Sequence, residues 1–121
     1  MNKRKNIIII DDDKSILSMW ARIFKGKGYD VDTAETGREA EEKAYKGYDL
    51  ALIDVMLPDM DGVELLKRMQ KTHPQMKKIV ITGFASLDKG VKALDEGADA
   101  YLAKPVNPEE LLSIVKQKLQ E

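Results

Sequence analysis

Four consecutive isoleucines, Ile7 to Ile10, run directly into Asp11, Asp12 and Asp13, and a second apolar run, Leu50 to Ile53, ends in Asp54. Short all-apolar runs of this kind read as strands buried on both faces, the habit of parallel sheets. In open α/β sheets ligands gather at the C-terminal strand ends, and these carboxylates fall at such ends. Clustered like charges raise one another's pKa and are costly to hold ionised without a counter-ion. A chain that collects acids there is expected to bind a cation and do chemistry with it.

The rest of the chain bounds that chemistry. A length of 121 residues, 43% hydrophobic and 34% charged, suits one domain with a real core and a well-charged surface. Twenty basic and 21 acidic residues leave a net charge of −1, so no global field favours nucleic acid or an anionic membrane. The absence of cysteine excludes disulfides and thiolate metal sites and fits a reducing cytoplasm. The basic start, Met1 to Asn6, precedes only a four-residue apolar run, too short for a signal peptide or a membrane span.

The pattern alternates strand and helix five times. Strand one is expected over about Lys5 to Ile10. Helix one follows with Ile16, Leu17, Trp20, Ile23 and Phe24 at helical spacing, and Gly26 and Gly28 stop it. Tyr29, Val31 and Thr33 alternate with Asp30 and Asp32, a half-exposed edge strand guarded by charge. Thr36 with Glu39, and Asp61 with Glu64, read as capping boxes for helices two and three. Helix two carries little apolar surface beyond Ala40, Ala44 and Tyr45, whereas helix three buries Val63, Leu65, Leu66 and Met69. Strand four is expected over Lys78 to Thr82, helix four over Leu87 to Glu96 with Gly97 as its stop, and strand five over Tyr101 to Ala103. In the last helix Asn107 caps, Pro108 takes the first position, Glu109 and Glu110 favour the positive end, and Leu111, Leu112, Val115 and Leu119 face inward. Right-handed strand–helix crossovers predict a parallel α/β sheet with helices on both faces, and at this length the five-stranded flavodoxin-like order 2-1-3-4-5. Residues 1–121 read as a single domain with no second domain after helix five.

In that topology the residues at the strand ends converge on one edge: Asp11 and Asp12, Asp54, Thr82 and Lys104. Three carboxylates against one ammonium leave about two negative charges, which one divalent cation would balance. Oxygen-only ligands select a hard ion such as Mg²⁺. A hard cation beside a lysine is an electrostatic clamp for a phosphoryl group, and a carboxylate can accept that group as an aspartyl phosphate. Thr82 can hydrogen-bond a phosphoryl oxygen.

Over essentially its whole length the chain resembles the receiver domain of two-component response regulators. The matching segments are Ile9-Ile10-Asp11-Asp12-Asp13, Ile53-Asp54-Val55-Met56-Leu57-Pro58-Asp59-Met60-Asp61-Gly62, Ile81-Thr82-Gly83 and Ala100-Tyr101-Leu102-Ala103-Lys104-Pro105. The resemblance implies that Asp54 is the phosphoacceptor, supplied by a histidine kinase or a histidine phosphotransfer protein. It implies that Asp12, Asp54 and the backbone carbonyl of Met56 bind Mg²⁺ (or Mn²⁺), with Asp11 acting mainly through water. It further implies that Lys104 pairs with the phosphoryl group, that Lys104–Pro105 is a cis peptide, and that Thr82 and Tyr101 form a switch pair acting on the face of helix four, strand five and helix five. It describes a cytoplasmic regulator working by phosphorylation-dependent binding, as a monomer or a phosphorylation-dependent dimer, with no direct DNA binding, no membrane contact and no substrate turned over. Met56 and Phe84 are apolar at positions where many relatives carry a polar group that can orient water, so slow hydrolysis of phospho-Asp54 is expected. Gly90 is expected to loosen helix four, since glycine costs a helix about 1 kcal/mol relative to alanine.

Two other readings stand beside this one. The Asp11-x-Asp13 run, Thr82 and a later lysine also resemble haloacid-dehalogenase-type phosphatases, with Asp11 as nucleophile. That class needs a further acidic pair after its lysine, and only the helix-capping Glu109 and Glu110 follow. The other is a receiver-like interaction module that is never phosphorylated. Among the bystanders, Asp13 reads equally well as a helix cap, His73 as a surface residue, the pairs Lys25–Lys27 and Lys77–Lys78 as solvated ends, and the methionines at 19, 56, 60, 69 and 76 as core or loop filling.

Overall fold

A computed structural model describes residues 4–83 and 87–120. In chain order these form β1 (Asn6–Ile10), α1 (Lys14–Gly26), β2 (Asp30–Ala34), α2 (Gly37–Ala44), β3 (Leu50–Asp54), α3 (Gly62–Thr72), β4 (Lys77–Thr82), α4 (Leu87–Asp95), β5 (Ala100–Ala103) and α5 (Pro108–Lys118). The strands make one parallel sheet in the order β2-β1-β3-β4-β5, as the alternating pattern predicts.

Side chains alternate across a strand, so the isoleucine run feeds both layers. Ile7 and Ile9 join Leu50, Leu52, Ile79 and Ile81 under α1 and α5, where Leu17, Trp20, Phe24, Leu111 and Val115 cover them. Ile8 and Ile10 join Ala51, Ile53 and Val80 on the opposite face, closed by α2, α3 and α4 through Ala40, Ala44, Leu65, Leu66, Met69 and Ala93. This two-sided burial is why the runs Ile7 to Ile10 and Leu50 to Ile53 carry no alternating polar residue. Among the described residues no helix is long and apolar enough to cross a membrane.

Several local expectations need correcting. Both capping residues accept as expected, Thr36 from the Glu39 N–H and Asp61 from the Val63 N–H. The reciprocal halves of the two boxes do not form. The Glu39 carboxylate accepts from the Glu35 N–H, one residue before the cap, and Glu64 pairs with Arg68. Tyr45 adds nothing to the apolar face of α2; it is 82% exposed and stacks edge-on against His73. Met19, on α1, is half exposed and fills no core, unlike the buried Met69 and Met76.

Lys78 departs furthest from its reading as a solvated end. It is fully buried, and its ammonium donates to Gln70 Oε1 (2.8 Å), His73 O (2.8 Å) and Met76 O (2.7 Å). Its place inside β4, one residue in from Lys77, turns it under the end of α3. Burial draws its pKa down, and the three oxygens compensate the lost water.

Candidate functional site

Parallel register sets the site. Ile10 pairs with Ile53, so Asp11 and Asp54 emerge side by side at the C-terminal edge of the two central strands. Asp11 extends β1 by one further bond, its N–H donating to Ala34 O at 3.0 Å. Its Oδ1 accepts the Asp13 N–H at 2.9 Å, which curls the chain into α1. Asp13 is the N-cap, accepting from Ser15 and Ile16 at 2.8 and 3.2 Å, and it takes no part in the acidic cluster. Asp12 is exposed, whereas Asp11 and Asp54 are buried. The three carboxylates can bring one oxygen each within 4.8 Å of one another.

Thr82, fully buried, ends β4 opposite Ala103 of β5. The next residue, Lys104, donates its N–H to Thr82 O at 2.8 Å and enters a cis peptide bond with Pro105. Its ammonium reaches Asp11 Oδ2 and Asp54 Oδ2, at 3.0 Å each. Burial alone would depress the lysine, but the hydrogen bonds it donates to Asp54 and Asp11, with their charges, hold it above its ordinary value. Desolvation dominates at Asp11 and raises its carboxyl, against the Asp13 N–H and Lys104, which lower it, while the nearby Asp54 charge raises it further. One ammonium is thus shared by two buried carboxylates with a third beside them, and the hard oxygen donors fit a small divalent cation.

The chain leaves Asp54 through a narrow turn. The Met56 N–H donates to Asp54 Oδ1 at 3.0 Å, Met56 bridges Asp61, and the Gly62 N–H returns to Val55 O at 2.8 Å. A Cβ on Gly62 would run into the Asp54 carbonyl and Val55 Cα, so this crossing requires glycine. The Met56 side chain is half exposed at the rim. Phe84 lies outside the described residues.

Reasoning from sequence missed two contributors. Trp20 lines a cavity of about 20 Å³ together with Asp11, Asp54 and Lys104, which brings an indole to the edge of the acidic cluster. Helical spacing marks it as buried but cannot say under what. Asp59 fastens the turn after Asp54 to the start of α2, accepting from Gly37 and Arg38 at 2.9 Å each. Slight burial opposes ionisation there, but those N–H donors and the Arg38 charge hold its carboxyl below the usual range. No local pattern announces a cap supplied from 22 residues away.

Tyr101 pairs with Val80 on β5, two residues back from the Thr82 register and on the same sheet face. It is partly buried, and its hydroxyl is buried without a hydrogen-bond partner among the described residues. His73 caps the far end of α3, away from the carboxylates, with Nδ1 2.8 Å from Thr72 Oγ1.

Known proteins share this fold. The family model described as response regulator receiver domain matches residues 7–116. A CheY-like receiver domain protein from Methanospirillum hungatei JF-1 superposes with a TM-score of 0.95 at 47% identity, covering 98% of this chain and 95% of that one. A response regulator from Burkholderia pseudomallei, solved with a phosphorylated aspartic acid and a calcium ion, gives 0.88 at 32% identity over 96% of this chain and 69% of its own. The DNA-binding transcriptional regulator NtrC of Escherichia coli (strain K12) is 36% identical over 97% of this chain. The chain spans 25% of NtrC and about half, 53%, of another curated relative it matches.

Proposed function

The chain belongs to the response regulator receiver domain family, and from that premise we propose that Asp54 is the acceptor through which it works as a phosphorylation-activated switch. The observation that carries the residue assignment is the Lys104 ammonium held 3.0 Å from both Asp54 and Asp11 at the mouth of the sheet. An Asp54 carboxylate oxygen attacks the phosphorus of a phosphohistidine, the O–P bond forms, and the N–P bond breaks to release histidine. Lys104 faces the place where the new negative charge collects, and the buried Thr82 at the end of the next strand supplies a hydroxyl to a phosphoryl oxygen.

Asp12, Asp54 and the Met56 carbonyl would hold Mg²⁺ or Mn²⁺, with Asp11 behind them through water. When bound, that cation supplies charge neutralisation to the carboxylates and the incoming phosphoryl oxygens. The Burkholderia structure, with its phosphorylated aspartic acid and calcium ion, supports the pairing of acceptor and cation. A histidine kinase or histidine phosphotransfer protein is the donor on this reading, which also places the chain in the cytoplasm. Output is regulated binding through α4, β5 and α5, with Thr82 and Tyr101 as the switch pair. Family membership removes the support for Asp11 as a phosphatase nucleophile.

The test is incubation with a small phosphodonor and Mg²⁺, followed by mapping of the modified residue by mass spectrometry. Wild type gains one phosphoryl group on Asp54, and Asp54→Ala gains none; modification that persists in the variant overturns the assignment. Following the same sample over time reads the lifetime. With apolar Met56 at the rim in place of a water-orienting polar group, phospho-Asp54 is expected to outlast that of the fast chemotaxis regulators, and Met56→Asn to shorten it.

A further inference from the structure

Gly90 is buried within α4, and the ring of Tyr101 lies directly against it. A methyl group placed on the Gly90 Cα would stand 3.1 Å from Tyr101 Cδ1 and 3.2 Å from Cε1, tighter than ordinary packing allows. The ring therefore occupies space that exists because residue 90 has no side chain. The Tyr101 hydroxyl, meanwhile, is buried without a partner among the described residues. A buried hydroxyl that has lost water and found no acceptor is unfavourable. Two opposing terms thus act on one side chain, apolar packing of the ring drawing it in and the stranded hydroxyl pressing it out.

We propose that Gly90 is the positioning residue for Tyr101: its missing side chain is the seat of the inward ring, and the size of residue 90 sets how often that ring points into the fold or out to solvent. The role is steric and does not depend on glycine loosening α4. Its regulatory meaning rests on the reading of Tyr101 as a switch residue, since the outward ring belongs to the surface of α4 and β5 that would meet a partner. In the unphosphorylated protein a larger residue 90 shifts the population outward with no charge added at Asp54.

The two accounts of Gly90 give opposite orders of effect. If flexibility is what matters, alanine, the best helix former, perturbs the ring most and valine less. If space is what matters, valine perturbs it more than alanine. The protein labelled with 3-fluorotyrosine has four ¹⁹F signals, one for each of its four tyrosines. Tyr101 is assigned by the signal lost in Tyr101→Phe. Tyr45, 82% exposed, and Tyr29, 7% exposed, serve as internal standards for a solvated and a buried ring in the H₂O-to-D₂O solvent shift.

In the wild type the Tyr101 shift is expected near that of Tyr29. It should move toward that of Tyr45 in Gly90→Ala and further in Gly90→Val, with the Tyr29 and Tyr48 signals unmoved. An unchanged Tyr101 signal in both variants, or a larger change for alanine than for valine, overturns the proposal. Thermal denaturation gives a check that survives a poorly folding variant. Gly90→Ala should raise Tm more in a Tyr101→Ala background, where the seat is vacant, than in the wild type; equal increments in the two backgrounds would also overturn it. The outcome is independent of phosphorylation, so the seat and the assignment of Asp54 fail separately.

Discussion

Each residue of the acidic cluster has its own environment, and the environment divides the work. Asp13 spends both of its contacts on the first turn of α1. Asp12 stays exposed and accessible to a cation, while Asp11 and Asp54 are buried and share Lys104. Burial raises Asp11 above the ordinary value of 3.8, so the folded state keeps that proton longer than the unfolded chain does. The contribution of a carboxyl so placed is fully present below the unfolded value and is lost as pH rises through the folded one. Asp11→Asn is therefore expected to be more stable than wild type at pH 7 in EDTA, and to lose that advantage by pH 3.5. Urea denaturation at the two pH values reads both, and an advantage that is equal at both would contradict the account.

At the scale of elements, the ends of the strands decide the chemistry and the opposite ends decide the anchoring. Lys78, the second residue of β4, lies at the end away from the carboxylates and ties the strand to the last turn of α3 and the loop that follows. Removing its ammonium would leave Gln70 Oε1 and Met76 O without this donor, while His73 O keeps the Met76 N–H, and each such loss costs about 1–3 kcal/mol before local relaxation and water entry. Lys78→Ala is expected to lose about 3 kcal/mol by urea denaturation. Lys77→Ala, one position away and only partly buried, should lose less than about 0.5 kcal/mol. Similar losses at the two positions would show that burial of the ammonium does not matter. On the functional side, Gly62 lets the returning chain cross the Asp54 carbonyl and Asp59 clamps the turn to α2, so the acceptor strand and its loop are held from two directions.

At the scale of the molecule, the described residues bring three carboxylates from the ends of two strands to one edge, with the Lys104 ammonium from the end of a third. The repulsion left over is a cost the folded state carries until a cation relieves it. Anything that binds only the native state stabilises it by mass action, and at ten times its Kd a cation adds about 1.4 kcal/mol, a rise in Tm of roughly 5 °C for a domain of this size. Wild type should show that rise on adding Mg²⁺, with chelation reversing it and Asp12→Ala or Asp54→Ala reducing it sharply. A rise of equal size in those variants would place the cation elsewhere.

The two-layer core and the identity of the clustered acids were legible along the chain because each rests on a local pattern: an unbroken apolar run, a helical period, a carboxylate at the end of a strand. Strand order followed from chain length and the handedness of the crossovers. The isoleucines and leucines determine which segments lie in the middle of the sheet, since only a strand covered on both faces can do without polar residues. Lys78 was misread because a lysine at a strand end is solvated in most settings, and only the packing of α3 and the loop after it supplies three oxygens. Trp20 as part of the lining beside the acids, Asp59 as a cap borrowed from another loop and Gly90 as the seat of Tyr101 were equally hidden. Each depends on which residues distant in the chain come within a few ångströms, and that is decided when helices settle on the sheet. Sequence by itself determined which chemical groups the protein brings to the sheet edge. Tertiary structure alone decided which of them are buried, which share a counter-charge and which have room to move, because burial and contact are properties of the packed molecule and not of any segment in it.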